Sequence, residues 1–193
     1  MSADVVGYSR LMGVDEVGTL DALRAHRAEL IDAKIDEHGG RIVKTMGDGL
    51  LLEFADVVAA VQCSLEVQEG MSARNVGILD DNQIIFRIGI NLSDIIVEDG
   101  DIFGDGVNVA ARLESMAEPG GMLVSHSVYE GIANNLDTVF ADNGERAFKN
   151  IVNSVRVWSW PRKLPTNRSD RKPFVVVAKF EGRGEKEKAL AGD

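Results

Sequence analysis

Residues 39–54, Gly-Gly-Arg-Ile-Val-Lys44-Thr-Met-Gly47-Asp48-Gly49-Leu-Leu-Leu-Glu-Phe, constrain the fold of this chain more than any other stretch. Two apolar runs meet at a Gly-Asp-Gly turn, which is the signature of a β-hairpin over 41–54. Helical patterns flank it. About residues 15–38 carry an apolar stripe of Leu20, Leu23, Ala25, Leu30 and Ile31, and Asp56 stands as the N-cap of a second helix reaching about Arg74. Further on, residues 84–98 alternate well enough to predict two strands around Ser93-Asp94. A helix over 105–117 ends before Pro119-Gly120-Gly121, and Met122-Leu-Val124 starts another strand. Strands and helices alternate along the chain, so the expected class is α+β with a ferredoxin-like βαββαβ core.

Polar residues interrupt this scaffold at chosen places. In Asp101-Ile-Phe-Gly-Asp-Gly-Val-Asn108-Val-Ala-Ala-Arg112, an acidic glycine turn runs into a helix on which Asn108 and Arg112, four apart, share one face. Taken alone, that segment also reads as an ordinary amphipathic helix. Asp48 taken alone is ordinary turn chemistry, since Asp tolerates the left-handed region and bonds its own backbone. A second aspartate near the start changes the weighing. In Ala3-Asp4-Val5-Val6-Gly7-Tyr8-Ser9-Arg10 an apolar run breaks into a small-residue loop before a helix. Two carboxylates at strand ends supply the hard oxygen donors that Mg²⁺ accepts alongside water and phosphate.

The conjunction of Asp-Val-Val-Gly-Tyr-Ser, Lys-Thr-Met-Gly-Asp-Gly, Arg-Ile-Gly-Ile-Asn and Asp-Ile-Phe-Gly-Asp-Gly-Val-Asn-Val-Ala-Ala-Arg-Leu-Glu resembles the catalytic domain of the class III nucleotidyl cyclases over about residues 3–160. The resemblance implies two metal-binding aspartates at Asp4 and Asp48, a metal-binding backbone carbonyl at Val5, and two ions, Mg²⁺ or Mn²⁺, per site. It implies a phosphate loop at Val6, Gly7, Tyr8 and Ser9, whose backbone N–H groups would face a triphosphate at the start of the following helix. Lys44 and Asp101 match the base-selecting pair, which is Lys and Asp in adenylyl cyclases and Glu and Cys in guanylyl cyclases. A Lys donor and an Asp acceptor complement the N1 acceptor and N6 donor of adenine, whereas guanine inverts that pattern. Asn108 and Arg112 match the pair that orients the ribose and neutralises charge on the α-phosphate, and Lys149 resembles a late lysine that reaches the terminal phosphates.

The implied reaction is intramolecular attack of the ribose 3′-hydroxyl on the α-phosphorus of ATP, releasing pyrophosphate. No covalent enzyme intermediate is needed. Cys63 sits in an apolar helical run and reads as packed, and His26, His38 and His126 lack metal-ligand spacing. The family builds its site between two head-to-tail domains, so the resemblance implies a homodimer with two sites.

Two departures from the family pattern stand out. Only three residues precede Asp4, so the first strand reads as truncated, with either a gap or another segment in its place. Asp94 occupies a position where some members carry a phosphate-binding arginine, and Ser93 replaces a commonly small glycine. The truncated strand is the ground for a second reading, a degenerate nucleotide-binding regulatory module that dimerises without turnover. A diguanylate cyclase or polymerase-palm relative shares the two-metal logic but does not predict the Lys44 and Asp101 pair.

With 193 residues, of which 45% are hydrophobic, the chain can bury one substantial core and carry a tail. The net charge is −10, yet residues 161–193 hold nine Lys or Arg against five Asp or Glu. The acidic body argues against nucleic acid, which demands clustered positive charge. Pro161, Pro165 and Pro173 mark a boundary at about residue 161, so we expect a catalytic domain over 1–160 and a basic linker and tail over 161–193. An apolar run over 174–180 reads as an orphan strand, either the start of a further, regulatory domain or a partner for an open sheet edge. No apolar stretch reaches membrane-spanning length, no leader is evident, and a lone cysteine excludes an internal disulfide framework, so a cytoplasmic setting is expected.

Overall fold

The computed structural model describes residues 1–149, 151 and 153–161. The orphan strand expected at 174–180 and the tail lie outside the described residues. The main sheet has seven strands: β1 Ser2–Val5, β2 Arg41–Met46, β3 Gly49–Glu53, β4 Phe86–Ile90, β7 Met122–Ser125, β8 Ala141–Arg146 and β9 Val155–Trp160, in the order β2-β3-β1-β4-β7-β9-β8. The first four are mutually antiparallel neighbours in the ferredoxin-like order. β7 then joins β4 in parallel, through a crossover that contains helix α5, Asp105–Met116.

β1 is short, as the sequence reading expects, but it takes the central position between β3 and β4, with Ser2 opposite both Leu51 and Gly89. Among the described residues, β1 itself fills the place between β3 and β4. The pairing of residues 84–98 differs from expectation. β4 ends at Ile90, and Ile96–Glu98 (β5) pairs instead with Asp101–Phe103 (β6) as a separate two-stranded hairpin.

Strand alternation assigns the two faces of the sheet. Ala3 and Val5 of β1, Phe86, Ile88 and Ile90 of β4, and Leu50 and Leu52 of β3 are buried in the core clusters that also hold α4, Val57–Arg74. The same side receives the helical run α2 Glu16–His26, a π turn Arg27–Ile31 and α3 Asp32–Glu37, which bury Leu23, Ile31 and Ile35. Asp56 caps α4, its side chain accepting from the Val58 N–H at 3.1 Å. Within the predicted stripe, Ala25 is exposed and Thr19 takes the buried place.

The opposite face carries Ser2, Asp4, Arg87 and Gly89, and α5 lies across it. At Gly89 an added Cβ would sit 2.2 Å from the Ala110 carbonyl oxygen and 2.2 Å from the Glu114 nitrogen, so the helix backbone rests directly on the strand. Val109, Leu113 and Ala117 seal α5 against Leu123, Val157 and Phe148. Among the described residues no helix is long and apolar enough to cross a membrane.

Candidate active site

Asp4 projects from the α5 side of the sheet, and Asn108 and Arg112 stand on α5 itself. The tight turn between β2 and β3 puts Asp48 beside the end of β1, where its Oδ2 accepts the Val5 N–H at 3.0 Å. That bond brings together Asp4, Val5 and Asp48, the three predicted metal-binding residues. The donor set is two carboxylates and a backbone carbonyl, all hard oxygens. Among the described residues no group of three or more His, Cys, Asp or Glu is arranged to hold a metal ion. Such a sparse oxygen set fits Mg²⁺ or Mn²⁺, which complete their shells with water and phosphate, better than a soft-ligand metal.

Beyond Val5 the backbone turns at Gly7, whose φ of 66° is left-handed and costs glycine nothing. Helix α1, Tyr8–Val14, begins there with no side-chain cap. The Gly7 carbonyl accepts from the Arg10 and Leu11 N–H groups, and the Val6 N–H is tied to the Ile85 carbonyl at 2.8 Å. The predicted phosphate loop is therefore fixed at its base and left open at the glycine.

Lys44 and Asp101 meet as a pair. Lys44 lies opposite Leu51 and Asp101 opens β6, and Lys44 Nζ donates to Asp101 Oδ2 at 2.6 Å. The lysine, and next the Ile102 N–H at Oδ1, hold the Asp101 carboxyl below its usual range. Each side chain is about a third exposed, with values of 39% and 32%. The pair is thus oriented and accessible. Lys44 Nζ also lies 5.9 Å from the centre of the Phe103 ring.

Asn108 and Arg112 lie on the exposed side of α5 with Ala111. Among the described residues neither Asn108 nor Arg112 makes a side-chain hydrogen bond or ion pair. Lys149 is exposed in the turn after Phe148, whose ring packs in the α5 cluster with Val109 and Leu113. Asp94 and Ser93 sit in an exposed loop.

Two site residues were given no role from sequence. Arg87, opposite Asp4 in the β1–β4 ladder, grips the Asp4 carboxylate with both arms, Nε to Oδ1 at 3.0 Å and Nη2 to Oδ2 at 2.5 Å. Glu114 reaches from α5 into the same place, accepting from Ser2 Oγ at 3.1 Å and lying 3.8 Å from Arg87 Nη2. Burial, then the charge of Asp4, pushes the Glu114 carboxyl up to about 7. The signal for Arg87 was a charged residue inside an otherwise apolar strand, which demands a buried counter-charge. Cys63 is buried, and burial pushes its thiol up to about 12, which leaves it unreactive.

Residues 1–156 match the family described as Adenylate and Guanylate cyclase catalytic domain. A Rhizobium meliloti protein provisionally named adenylate cyclase 3 is 42% identical over 177 residues, which are 92% of this chain and 30% of that protein. An adenylate cyclase of Streptomyces coelicolor is 34% identical over 139 residues, 70% of this chain and 34% of the relative. The crystal structure of an adenylate/guanylate cyclase/hydrolase from Silicibacter pomeroyi superposes with a TM-score of 0.78 at 46% identity, covering 84% of this chain and 95% of that one. The chain spans about a third of the length of the curated relatives it matches.

Proposed function

This chain belongs to the adenylate and guanylate cyclase catalytic domain family, and we propose that it converts ATP to 3′,5′-cyclic AMP and pyrophosphate for intracellular signalling. The observation that carries the choice of base is the Lys44–Asp101 pair at 2.6 Å. Lys44 donates to adenine N1 and Asp101 accepts from the N6 amino group. Guanine would set its N1–H against the lysine and its O6 against the carboxylate. Unpaired polar groups of that kind discriminate strongly at a hydrogen-bonding site.

Each remaining residue has a role in this reading. Asn108 orients the ribose, so that the 3′-oxygen bonds to the α-phosphorus as the bond to the pyrophosphate oxygen breaks. Arg112 neutralises the charge that builds on the α-phosphate, and Lys149 with the open loop of Val6, Gly7, Tyr8 and Ser9 holds the terminal phosphates. Asp4, Asp48 and the Val5 carbonyl would hold two divalent ions, Mg²⁺ or Mn²⁺, whose charge favours loss of the 3′-hydroxyl proton and departure of pyrophosphate.

The working unit is a head-to-tail homodimer. Successive residues on a helix are about 100° apart, so Glu114 points roughly 120° away from Asn108 and roughly 160° away from Arg112. Glu114 turns toward Asp4 and its neighbours, and the other two turn away from them. A second copy is the natural source of the groups that complete each site. The reading as a module without turnover drew on a missing first strand, and β1 supplies that strand. In this reading residues 1–160 form the catalytic unit and 161–193 a basic linker and tail of a cytoplasmic protein, and the greater length of the relatives supports a fused regulatory domain.

The test is to incubate the purified protein with ATP or GTP and Mn²⁺ and to resolve the cyclic products by chromatography. Cyclic AMP is expected to dominate. More cyclic GMP than cyclic AMP would overturn the assignment of the base, and no cyclic product at high protein concentration would overturn the activity.

A further inference from the structure

We propose that Arg87 is an exchangeable counter-cation for Asp4, paired with it while no divalent ion is bound and handed to Glu114 when one binds. This rests on the reading of Asp4 as a metal ligand. It goes beyond that reading by assigning the residues that set how readily the ion enters.

Three features of the geometry support it. First, both Asp4 oxygens accept from Arg87, so an entering cation meets a carboxylate already neutralised by a two-armed charge-assisted grip and competes with the guanidinium for it. Second, a substitute partner already stands next to the same nitrogen. Arg87 Nη2 is 2.5 Å from Asp4 Oδ2 and 3.8 Å from Glu114 Oε1, while Glu114 Oε2 is held by Ser2 Oγ. The Oε1 of Glu114 therefore faces the guanidinium, and a shift of about an ångström converts the long contact into a hydrogen bond. Third, Arg87 Nη1 donates to the Ser115 carbonyl at 3.2 Å, which tethers the guanidinium at the end of α5 in either arrangement.

The charges explain why the exchange is favourable. Asp4 and Glu114 share one guanidinium in a half-buried setting, with side-chain exposures of 24% and 12%. Entry of a divalent ion satisfies Asp4 and repels Arg87. The displaced guanidinium then neutralises Glu114, whose other partners are the Ser2 hydroxyl and the Asp4 carboxylate itself. Arg87 is therefore a positioning residue, acting on the ion through Asp4 and touching neither substrate nor metal.

The experiment measures Mn²⁺ affinity without nucleotide, from the electron paramagnetic resonance signal of free Mn²⁺, in wild type, Arg87→Gln, Glu114→Gln and the double variant, each checked for its circular dichroism spectrum. Removing the competing charge in Arg87→Gln should tighten binding about three- to tenfold, a fraction of the full Coulomb effect at this distance. Glu114→Gln, which leaves Arg87 no second partner, should weaken it by a similar factor of about three to ten. In the Arg87→Gln background the same Glu114→Gln change should alter affinity less than about twofold, because there is no longer a guanidinium to receive. If Arg87→Gln does not fold, Arg87→Lys keeps the charge and loses the two-armed grip, and should tighten binding about twofold.

Weaker binding in Arg87→Gln or Arg87→Lys would make the arginine a fixed orienting clamp and overturn the exchange. So would additive effects in the double variant, which mark simple charge repulsion. Asp4→Asn separates this failure from that of the metal reading. If it binds Mn²⁺ like wild type, Asp4 is not a ligand and both proposals fall.

Discussion

Glu114 and Arg112 stand two residues apart on α5, yet one is 12% exposed among three polar partners and the other projects from the exposed side of the helix. The sheet side of α5 is internally compensated. Asp4, Arg87, Glu114 and Ser2 are partners of one another, so an ion arriving there competes with a cation already in place. The outer side is the reverse. Asn108 and Arg112 are held by the helix backbone and, among the described residues, bonded to nothing through their side chains. One side of the helix resists its ligand until charge is exchanged, and the other presents groups that only a ligand or a second chain can satisfy. The Lys44–Asp101 pair stands between these extremes, already bonded but accessible.

The largest expected effect breaks the compensated side. Asp48→Asn should reduce cyclase turnover on the order of a hundredfold or more, the scale seen when one stabilising charge contact is lost. The asparagine carbonyl can still accept the Val5 N–H and fits the same turn, so the melting temperature should hardly move. Wild-type turnover from that variant would remove Asp48 from the site.

A smaller change targets the accessible pair. Lys44→Glu combined with Asp101→Cys should lower kcat/KM for ATP roughly tenfold or more while sparing or improving use of GTP, since each lost or mismatched hydrogen bond at a base edge costs about 1–3 kcal/mol. Equal losses on both nucleotides would show that these side chains support the hairpin without reading the base.

The contrast between the two sides of α5 also yields a mixing experiment. Asp48→Asn and Asn108→Ala should each be nearly inactive as homodimers. After free exchange at equal concentrations about half the dimers are mixed, and each mixed dimer has one intact site and one doubly defective site. Activity should then return to roughly a quarter of wild type per subunit. No recovery despite proven exchange would place all the groups of a site in one chain.

How much of this was legible in the sequence depended on whether the signal was local. The turn at Asp48, the cap at Asp56 and the shared side of Asn108 and Arg112 follow from spacing alone. The β5–β6 hairpin was missed although its turn is written in the chain. Asp99 and Gly100 have φ values of 51° and 83°, as a two-residue primed turn requires, and Asp-Gly is the sequence signal for it. Alternation over 84–98 drew the strands toward Ser93-Asp94 instead. The roles of Arg87 and Glu114 could not be read locally, because they exist only once β1 and β4 pair in the register that sets Asp4 opposite Arg87. That register sits across 83 residues of chain.

The smallest expected effect concerns pH and isolates the compensated side without any ligand. Glu114 has an ordinary carboxyl value of 4.5 when unfolded and is pushed up to about 7 in the fold by burial first and Asp4 second. Between about 4.5 and 7 the folded chain therefore keeps a proton that the unfolded chain has released. A raised carboxyl contributes stability that is fully present below the unfolded value and is lost as pH rises through the folded one. Above about 7 both states are ionised and the contribution stops changing. Glu114→Gln lacks this titration but keeps an acceptor for Ser2 Oγ. In chelator, the melting temperature of wild type relative to Glu114→Gln should therefore fall by a few degrees between about pH 5 and pH 8. A difference that is flat across this range would mean that Glu114 is ionised throughout, with Arg87 already shared evenly between it and Asp4. A difference that rises with pH would mean that the guanidinium sits mainly on Glu114 before any ion arrives, which reverses the order of partners inferred from the 2.5 Å and 3.8 Å contacts.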